Sequence, residues 1–148
     1  MEKDFDAWNE EKKYRDRRDL PADFFVHEGQ VWWSVLGLNI GVEMDGKHDS
    51  FERPVIVLRV FNTDMILIVP LTSTLKRSPF YHRIRFRDEE RSAVLSQLRV
   101  SSTKRLKRLM GSVSEEELLS IISGIIAILS KNETPPEAGN LETRRHGQ

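Results

Sequence analysis

Two runs of branched apolar residues, Pro54–Phe61 (PVIVLRVF) and Met65–Leu71 (MILIVPL), are separated only by Asn62-Thr63-Asp64. Each run is too short for a stable helix and rich in Val and Ile, and the three polar residues between them suit a tight turn. Together they predict an antiparallel hairpin. Further strand-like segments flank it. Gln30–Leu36 (QVWWSVL) is aromatic and β-branched, and Trp32-Trp33 places one indole on each strand face, so at least one belongs to the core. Tyr81–Arg87 (YHRIRFR) sets Ile84 and Phe86 on one face and Arg83, Arg85 and Arg87 on the other. Ala93–Val100 (AVLSQLRV) reads as one more strand, and Leu109–Val113 as a short closing strand.

The period changes at both ends of the chain. Residues 2–19 are highly charged, and Phe5 and Trp8, three apart, would share one edge of a short helix that docks through them and stops at Pro21. Ser114-Glu115-Glu116-Glu117 has the form of a capping box, with Glu117 able to reach back to the cap. Leu118, Leu119, Ile121, Ile122, Ile125, Ile126 and Leu129 follow at helical spacing, predicting a helix that packs on the sheet and whose wide apolar face can also serve a dimer. Residues 131–148 carry two prolines, two glycines and charges, the composition of a disordered tail. The expected fold is mainly β with helices: a small antiparallel β-barrel with a C-terminal packing helix and a short N-terminal helix. The expected organisation is a helical extension over 1–25, one domain over 26–130 and a tail over 131–148.

The chain has no cysteine, which excludes disulfides, thiolate chemistry and cysteine-bound zinc and fits a reducing cytoplasm. Its charged start lacks the apolar core of a secretory leader, and no apolar run is long enough to span a membrane. Net charge is zero, but Lys76 to Arg108 holds eleven Lys/Arg against three Asp/Glu. A basic segment in a neutral protein is a plausible phosphate-facing surface, or else a solvated face.

Polar residues interrupt the strand pattern at three places. Gly37–Arg53 is a long irregular stretch holding Glu43, Lys47 and His48 and ending at Arg53, which leads into an apolar strand. Thr72 and Ser73 end the run MILIVPL, and Ser96, Gln97 and Arg99 interrupt an otherwise apolar strand. Each has a plainer reading. Arg53 can pair with Glu52 or Glu43, Thr72-Ser73 can start a turn, and Phe80, Tyr81 and Phe86 can be packing residues. His48 and His82 are too isolated for a metal site, so no metal or cofactor is expected.

RNA cleavage without a metal needs such groups. The ribose 2′-OH attacks the adjacent phosphorus, and charge develops on the non-bridging oxygens. A cation and hydrogen-bond donors held in place supply most of the catalysis. An arginine fork matches phosphate oxygens, and Phe80, Tyr81 and Phe86 beside basic strand residues suit single-stranded RNA and base stacking.

Taken in order, the polar and apolar signatures resemble the MazF/PemK family of toxin endoribonucleases. Gly29-Gln30-Val31-Trp32 resembles the family's opening strand, and Gly41-Val42-Glu43 its Gly-X-Glu loop. Arg53-Pro54-Val55-Ile56-Val57, Val69-Pro70-Leu71-Thr72-Ser73 and Val94-Leu95-Ser96-Gln97-Leu98-Arg99 resemble three later motifs, and Lys104-Arg105-Leu106 continues the last. The leading Lys3-Asp4-Phe5-Asp6 with Trp8-Asn9 resembles a branch with an N-terminal extension. Val42 and Met44 depart from the usual loop, where His or Ser precedes Glu-Gln, and Ser96 stands where many members have an acid.

The resemblance implies an SH3-like barrel, a homodimer, and sequence-selective, metal-independent cleavage of single-stranded RNA. It implies a cognate antitoxin whose segment occupies the RNA groove, and DNA binding together with that antitoxin. It puts the paired catalytic residues on Arg53 and Thr72, the loop glutamate on Glu43 and the strand glutamine on Gln97. Glu43 is thereby a third catalytic candidate, and the general base stays open between Glu43 and His48. Lys47, His48, Ser73, Phe80, Tyr81, His82, Ser96, Gln97 and Arg99 are the substrate-binding candidates. Two rival functions share the fold: a protein-binding gyrase poison of the CcdB type, and a descendant that binds RNA or antitoxin without cleaving.

Overall fold

The computed structural model describes residues 2–132; the expected tail falls, beyond Asn132, outside the described residues. Seven strands form one antiparallel sheet: β1 (Gln30–Val35), β2 (Glu52–Val60), β3 (Met65–Thr72), β4 (Tyr81–Phe86), β5 (Glu89–Val94), β6 (Arg99–Ser102) and β7 (Leu106–Ser112). Helix α1 (Phe5–Arg17) precedes the sheet and α2 (Glu115–Leu129) follows it. No helix among the described residues is long and apolar enough to cross a membrane. The mainly β architecture with two flanking helices is as expected.

The predicted hairpin forms the centre. Asn62 Oδ1 accepts from the backbone N–H of Asp64 and Met65, at 2.8 and 2.9 Å, and so closes the β2–β3 turn. The sheet runs β4-β5-β3-β2-β1-β7, with β6 pairing the first half of β3. Along its far edge β3 pairs β6 over Met65–Ile68 and β5 over Leu71–Thr72, and Pro70, which has no N–H to give, stands at the hand-over. The hydrogen-bonded path is open between β4 and β7. Packing brings these ends together, since Phe86 of β4 lies against Gly111 of β7.

Why β2 and β3 are continuously apolar rather than alternating is visible in their burial. Val55, Val57, Ile66 and Ile68 pack on one side with Trp32, Leu36 and Leu106. Ile56, Leu58, Val69 and Leu71 pack on the other, under Ile121 and Ile125 of α2. A strand with a core on both faces has no solvent side to make polar.

Two expectations change. Ala93–Val100 is not one strand: β5 ends at Val94, a 3₁₀ turn occupies Leu95–Gln97, and β6 starts at Arg99. The break turns the chain from one end of β3 to the other. The capping box is half-formed. Ser114 Oγ accepts from Glu117 N at 3.0 Å, but the Glu117 carboxylate pairs with His82 Nε2 at 2.9 Å instead of reaching back. At the other end, α1 docks through Trp8, which is buried, while Phe5 remains about half exposed. On α2, Leu119, Ile126 and Leu129 stay exposed.

Candidate active site

The β2–β3 register pairs Val55 with Pro70. Two steps beyond that pair stand Arg53, where β2 begins, and Thr72, where β3 ends. Hairpin geometry therefore sets residues nineteen positions apart at one level of the sheet. Both line a pocket of about 240 Å³, together with Lys47, His48 and Ser73 from the predicted set.

Arg53 is half-buried and held at two points. Its Nε donates to the Asp45 carbonyl at 2.8 Å and its Nη1 to the Leu71 carbonyl at 3.4 Å. Burial lowers the pKa of this guanidinium from its ordinary value, and the Asp45 charge pulls it back up. A guanidinium starts so high that it remains charged in any working range. The salt bridge to Glu52 or Glu43 that its sequence position suggests does not form. Thr72 is buried, and its Oγ1 accepts from Thr74 N at 3.2 Å. That bond uses an oxygen lone pair, so the hydroxyl hydrogen stays free to donate.

Several pocket residues were not singled out by the sequence. Trp33, Ser50, Glu52, Arg91 and Arg108 also line it. Glu52 is buried and accepts from Lys107 Nζ at 2.6 Å, with Arg108 Nη1 at 3.3 Å. The Arg108 guanidinium also lies 5.1 Å from the centre of the Trp33 ring. Arg91 pairs with Glu89 at 3.0 Å, but its Nε is buried with no hydrogen-bond partner. The excess of Lys and Arg in Lys76–Arg108 was the one available signal; which of them reach the pocket depends on strand pairing. Lys47, Arg53, Arg91 and Arg108 thus surround a pocket with one carboxylate, Glu52, an arrangement that attracts a phosphate-bearing ligand.

The remaining candidates lie apart from this pocket. Glu43 Oε1 accepts from Ile40 N at 3.0 Å, closing a turn within the Gly37–Arg53 loop. Gln97 grips the same loop, accepting from Met44 N and donating to Val42 O, each at 3.0 Å. Ser96 is exposed in the 3₁₀ turn, and Arg99 begins β6 close enough to Arg105 to lower its pKa further, after burial. Tyr81 and His82 line a separate pocket against α2, with Lys76 Nζ 5.2 Å from the Tyr81 ring centre, and Phe80 is exposed beside them. Among the described residues no group of three or more His, Asp or Glu is placed to hold a metal ion.

Residues 27–129 match the sequence model of a family described as PemK-like, MazF-like toxin of type II toxin-antitoxin system. No curated protein matches the sequence. Among solved structures, the fold is similar to MazF from Deinococcus radiodurans, with a TM-score of 0.62 and 20% identity over 73% of this chain and 99% of that one. It is also similar to the MazE–MazF complex of the same organism, at a TM-score of 0.57 and 16% identity over 73% and 98% of the two chains. A mycobacterial endoribonuclease in complex with its cognate antitoxin gives a TM-score of 0.54 and 15% identity over 72% and 96%. With the family match covering most of its length, the chain belongs to the PemK-like, MazF-like toxins of type II toxin–antitoxin systems.

Proposed function

We propose that this toxin is a sequence-selective, metal-independent endoribonuclease acting on single-stranded RNA, with residues 26–130 as its catalytic domain. The observation that carries the reading is one cationic pocket lined by both Arg53 and Thr72. The 2′-hydroxyl gives up its proton as its oxygen bonds to the adjacent phosphorus, the bond from phosphorus to the 5′-oxygen breaks, and the leaving 5′-oxygen takes up a proton from water. The products are a 2′,3′-cyclic phosphate and a 5′-hydroxyl.

Arg53 stabilises the charge that develops on the non-bridging oxygens, with its Nε already spent on Asp45 and its outer face toward the pocket. The Thr72 hydroxyl donates to one of those oxygens and holds the phosphate in line. His48, which lines the pocket, takes the 2′-OH proton; Glu43, engaged with Ile40 N, supports the loop. Lys47, Ser73, Arg91 and Arg108 bind the flanking phosphodiesters, and Phe80, Tyr81, His82, Ser96 and Arg99 contact RNA farther along. Two of the similar structures hold a MazE or a cognate antitoxin with the toxin, which supports an antitoxin partner for this chain; in this reading its segment occupies the RNA groove. A homodimer and a cytoplasmic location complete the reading.

The test is incubation of the purified protein with a long RNA in EDTA, with end-group analysis of the fragments. Discrete fragments with cyclic-phosphate and 5′-hydroxyl ends are expected, and Arg53→Ala should abolish them. Intact RNA with the wild type, or equal cleavage by Arg53→Ala, would overturn the proposal. RNA binding without cleavage would point to a non-cleaving descendant, and inhibition of gyrase supercoiling with intact RNA to a protein-directed poison.

A further inference from the structure

The family match begins at residue 27, so α1 lies outside it, yet α1 holds the loop that carries the proposed site. Gly37 and Phe51 form the neck of that loop, joined by a hydrogen bond from Gly37 N to Phe51 O at 3.1 Å. The Trp8 indole packs on both. It sits directly over Gly37, where φ is +77° and any Cβ would overlap the ring, and its centre is 5.5 Å from that of Phe51. Arg105 covers it from beyond, 5.7 Å from the ring centre, with Nη1 bonded to the carbonyls of Val35 and Leu36. Only 6% of Trp8 remains exposed, the signature of an anchor rather than a surface contact.

The second hold is deeper in the loop. Lys3 Nζ pairs with Asp45 Oδ2 at 2.9 Å and donates to the carbonyls of Asn39 at 2.6 Å and Gly41 at 3.3 Å. Asp45 Oδ1 accepts from Asn39 N at 2.6 Å, and the Asp45 carbonyl accepts from Arg53 Nε. A continuous chain of polar contacts therefore runs from Lys3 through Asp45 to the guanidinium of Arg53. The far end of α1 is fixed as well, by Lys104 Nζ on the Asp16 carbonyl at 2.7 Å.

We infer that α1 is a brace for the active-site loop, and that Lys3 and Trp8 are positioning residues that set Arg53 through Asp45 and the loop neck. The role in catalysis rests on the proposed nuclease reading; the bracing itself does not. Freed of the brace, the loop samples positions in which Arg53 no longer meets the phosphate. Misplacement of about 1 Å costs roughly a hundredfold in rate. The loss falls on kcat more than on KM, because Arg91 on β5 and Arg108 on β7 stay where they are.

The experiment compares wild type with Trp8→Ala, Lys3→Met, Lys3→Arg and Lys12→Met. Lys12 is exposed on α1, so its variant matches Lys3→Met in charge without touching the loop. Hydrogen exchange at the amides of residues 38–46 is measured without RNA, and kcat and KM with it. Trp8→Ala and Lys3→Met should exchange about tenfold faster in the loop while the amides of β2 and β3 keep their protection. Their kcat should fall about tenfold or more with KM changed less than about threefold. Lys3→Arg should recover part of both losses, and Lys12→Met should match wild type. Unchanged loop exchange in Trp8→Ala and Lys3→Met would overturn the brace, whatever the protein does to RNA. Faster loop exchange with unchanged kcat would overturn the positioning role. A wild type that leaves RNA intact would overturn the nuclease reading, while the exchange data still decide the brace.

Discussion

Gln97 holds Met44 by the backbone: its Oε1 accepts from Met44 N while its Nε2 donates to Val42 O, both at 3.0 Å. One amide thus spans more than fifty residues of sequence to staple the middle of the Gly37–Arg53 loop to the 3₁₀ turn. Only a side chain with an acceptor and a donor side by side can satisfy both groups. Gln97→Ala should lower stability by about 1–2 kcal/mol, two modest hydrogen bonds with little core lost. Gln97→Glu keeps the acceptor but sets a carboxylate against the Val42 carbonyl, and should do no better than alanine. Urea denaturation of the three proteins is the check; a stable Gln97→Glu would show that the Val42 contact contributes nothing.

Arg53 uses separate nitrogens for separate tasks, Nε for Asp45 and Nη1 toward Leu71 next to Thr72. Lysine has one nitrogen and cannot hold the loop and face a phosphate at once. Arg53→Lys should therefore keep RNA affinity within a few-fold yet lose about a hundredfold or more in cleavage rate, approaching Arg53→Ala. Single-turnover cleavage at saturating protein separates this from weak binding. Because burial lowers the pKa of Arg53 from a value far above neutrality, no loss of rate from its deprotonation is expected between pH 6 and 9, on the order of the range where guanidinium stays charged. A rate that falls in that window must be traced to another group.

The fold was legible where burial imposes a pattern. The hairpin of β2 and β3 and the apolar period of α2 follow from what each segment packs against. Legibility failed where two neighbours compete for one side chain. Glu117 follows Ser114 at the capping-box spacing, but His82, brought up by β4, takes its carboxylate. Glu52 stands beside Arg53 in the sequence, but Arg53 is held by the carbonyls of Asp45 and Leu71, and Lys107 and Arg108 from β7 claim the acid instead. Leu95–Gln97 turns rather than extends because β3 cannot be followed from one end to the other without a break. The pairing of Arg53 with Thr72 could be expected only from the family resemblance. Periodicity gives two strands and a turn; the register that sets these two residues level comes from the fold.

Arg91 is the least expected cation of the pocket. It reaches in from β5 one residue before Ser92, the partner of Thr72 in the ladder, and its Nε is buried without a partner. Its side chain lines the pocket, where a phosphate can accept from the guanidinium. If RNA phosphate does so, Arg91→Gln should weaken binding and reduce the slope of log affinity against log salt by about 0.7, one phosphate contact on a single strand. Lys12→Gln on α1 should leave the slope unchanged. Fluorescence anisotropy with a non-cleavable RNA carrying 2′-deoxy substitutions measures it, and equal slopes for Arg91→Gln and wild type would remove Arg91 from the site.

Two glycines of the same loop separate steric from conformational demand. At Gly41 φ is +55° and nothing lies within 4 Å of a would-be Cβ. Gly41→Ala therefore meets only the left-handed backbone penalty, about 1–2 kcal/mol, and the exposed loop can relax part of it. At Gly46 a Cβ would overlap the Phe51 carbonyl and the Glu52 nitrogen, while Gly46 N itself donates to the Gly37 carbonyl at 2.8 Å. The backbone atoms it would strike lead directly into β2, so accommodating a methyl means displacing the segment that presents Arg53. Gly46→Ala should cost more stability than Gly41→Ala and should lower cleavage by about tenfold or more, whereas Gly41→Ala should leave the rate nearly intact. Thermal denaturation and single-turnover rates for the pair test this, and a fully active Gly46→Ala would mean that the loop neck does not govern where Arg53 sits.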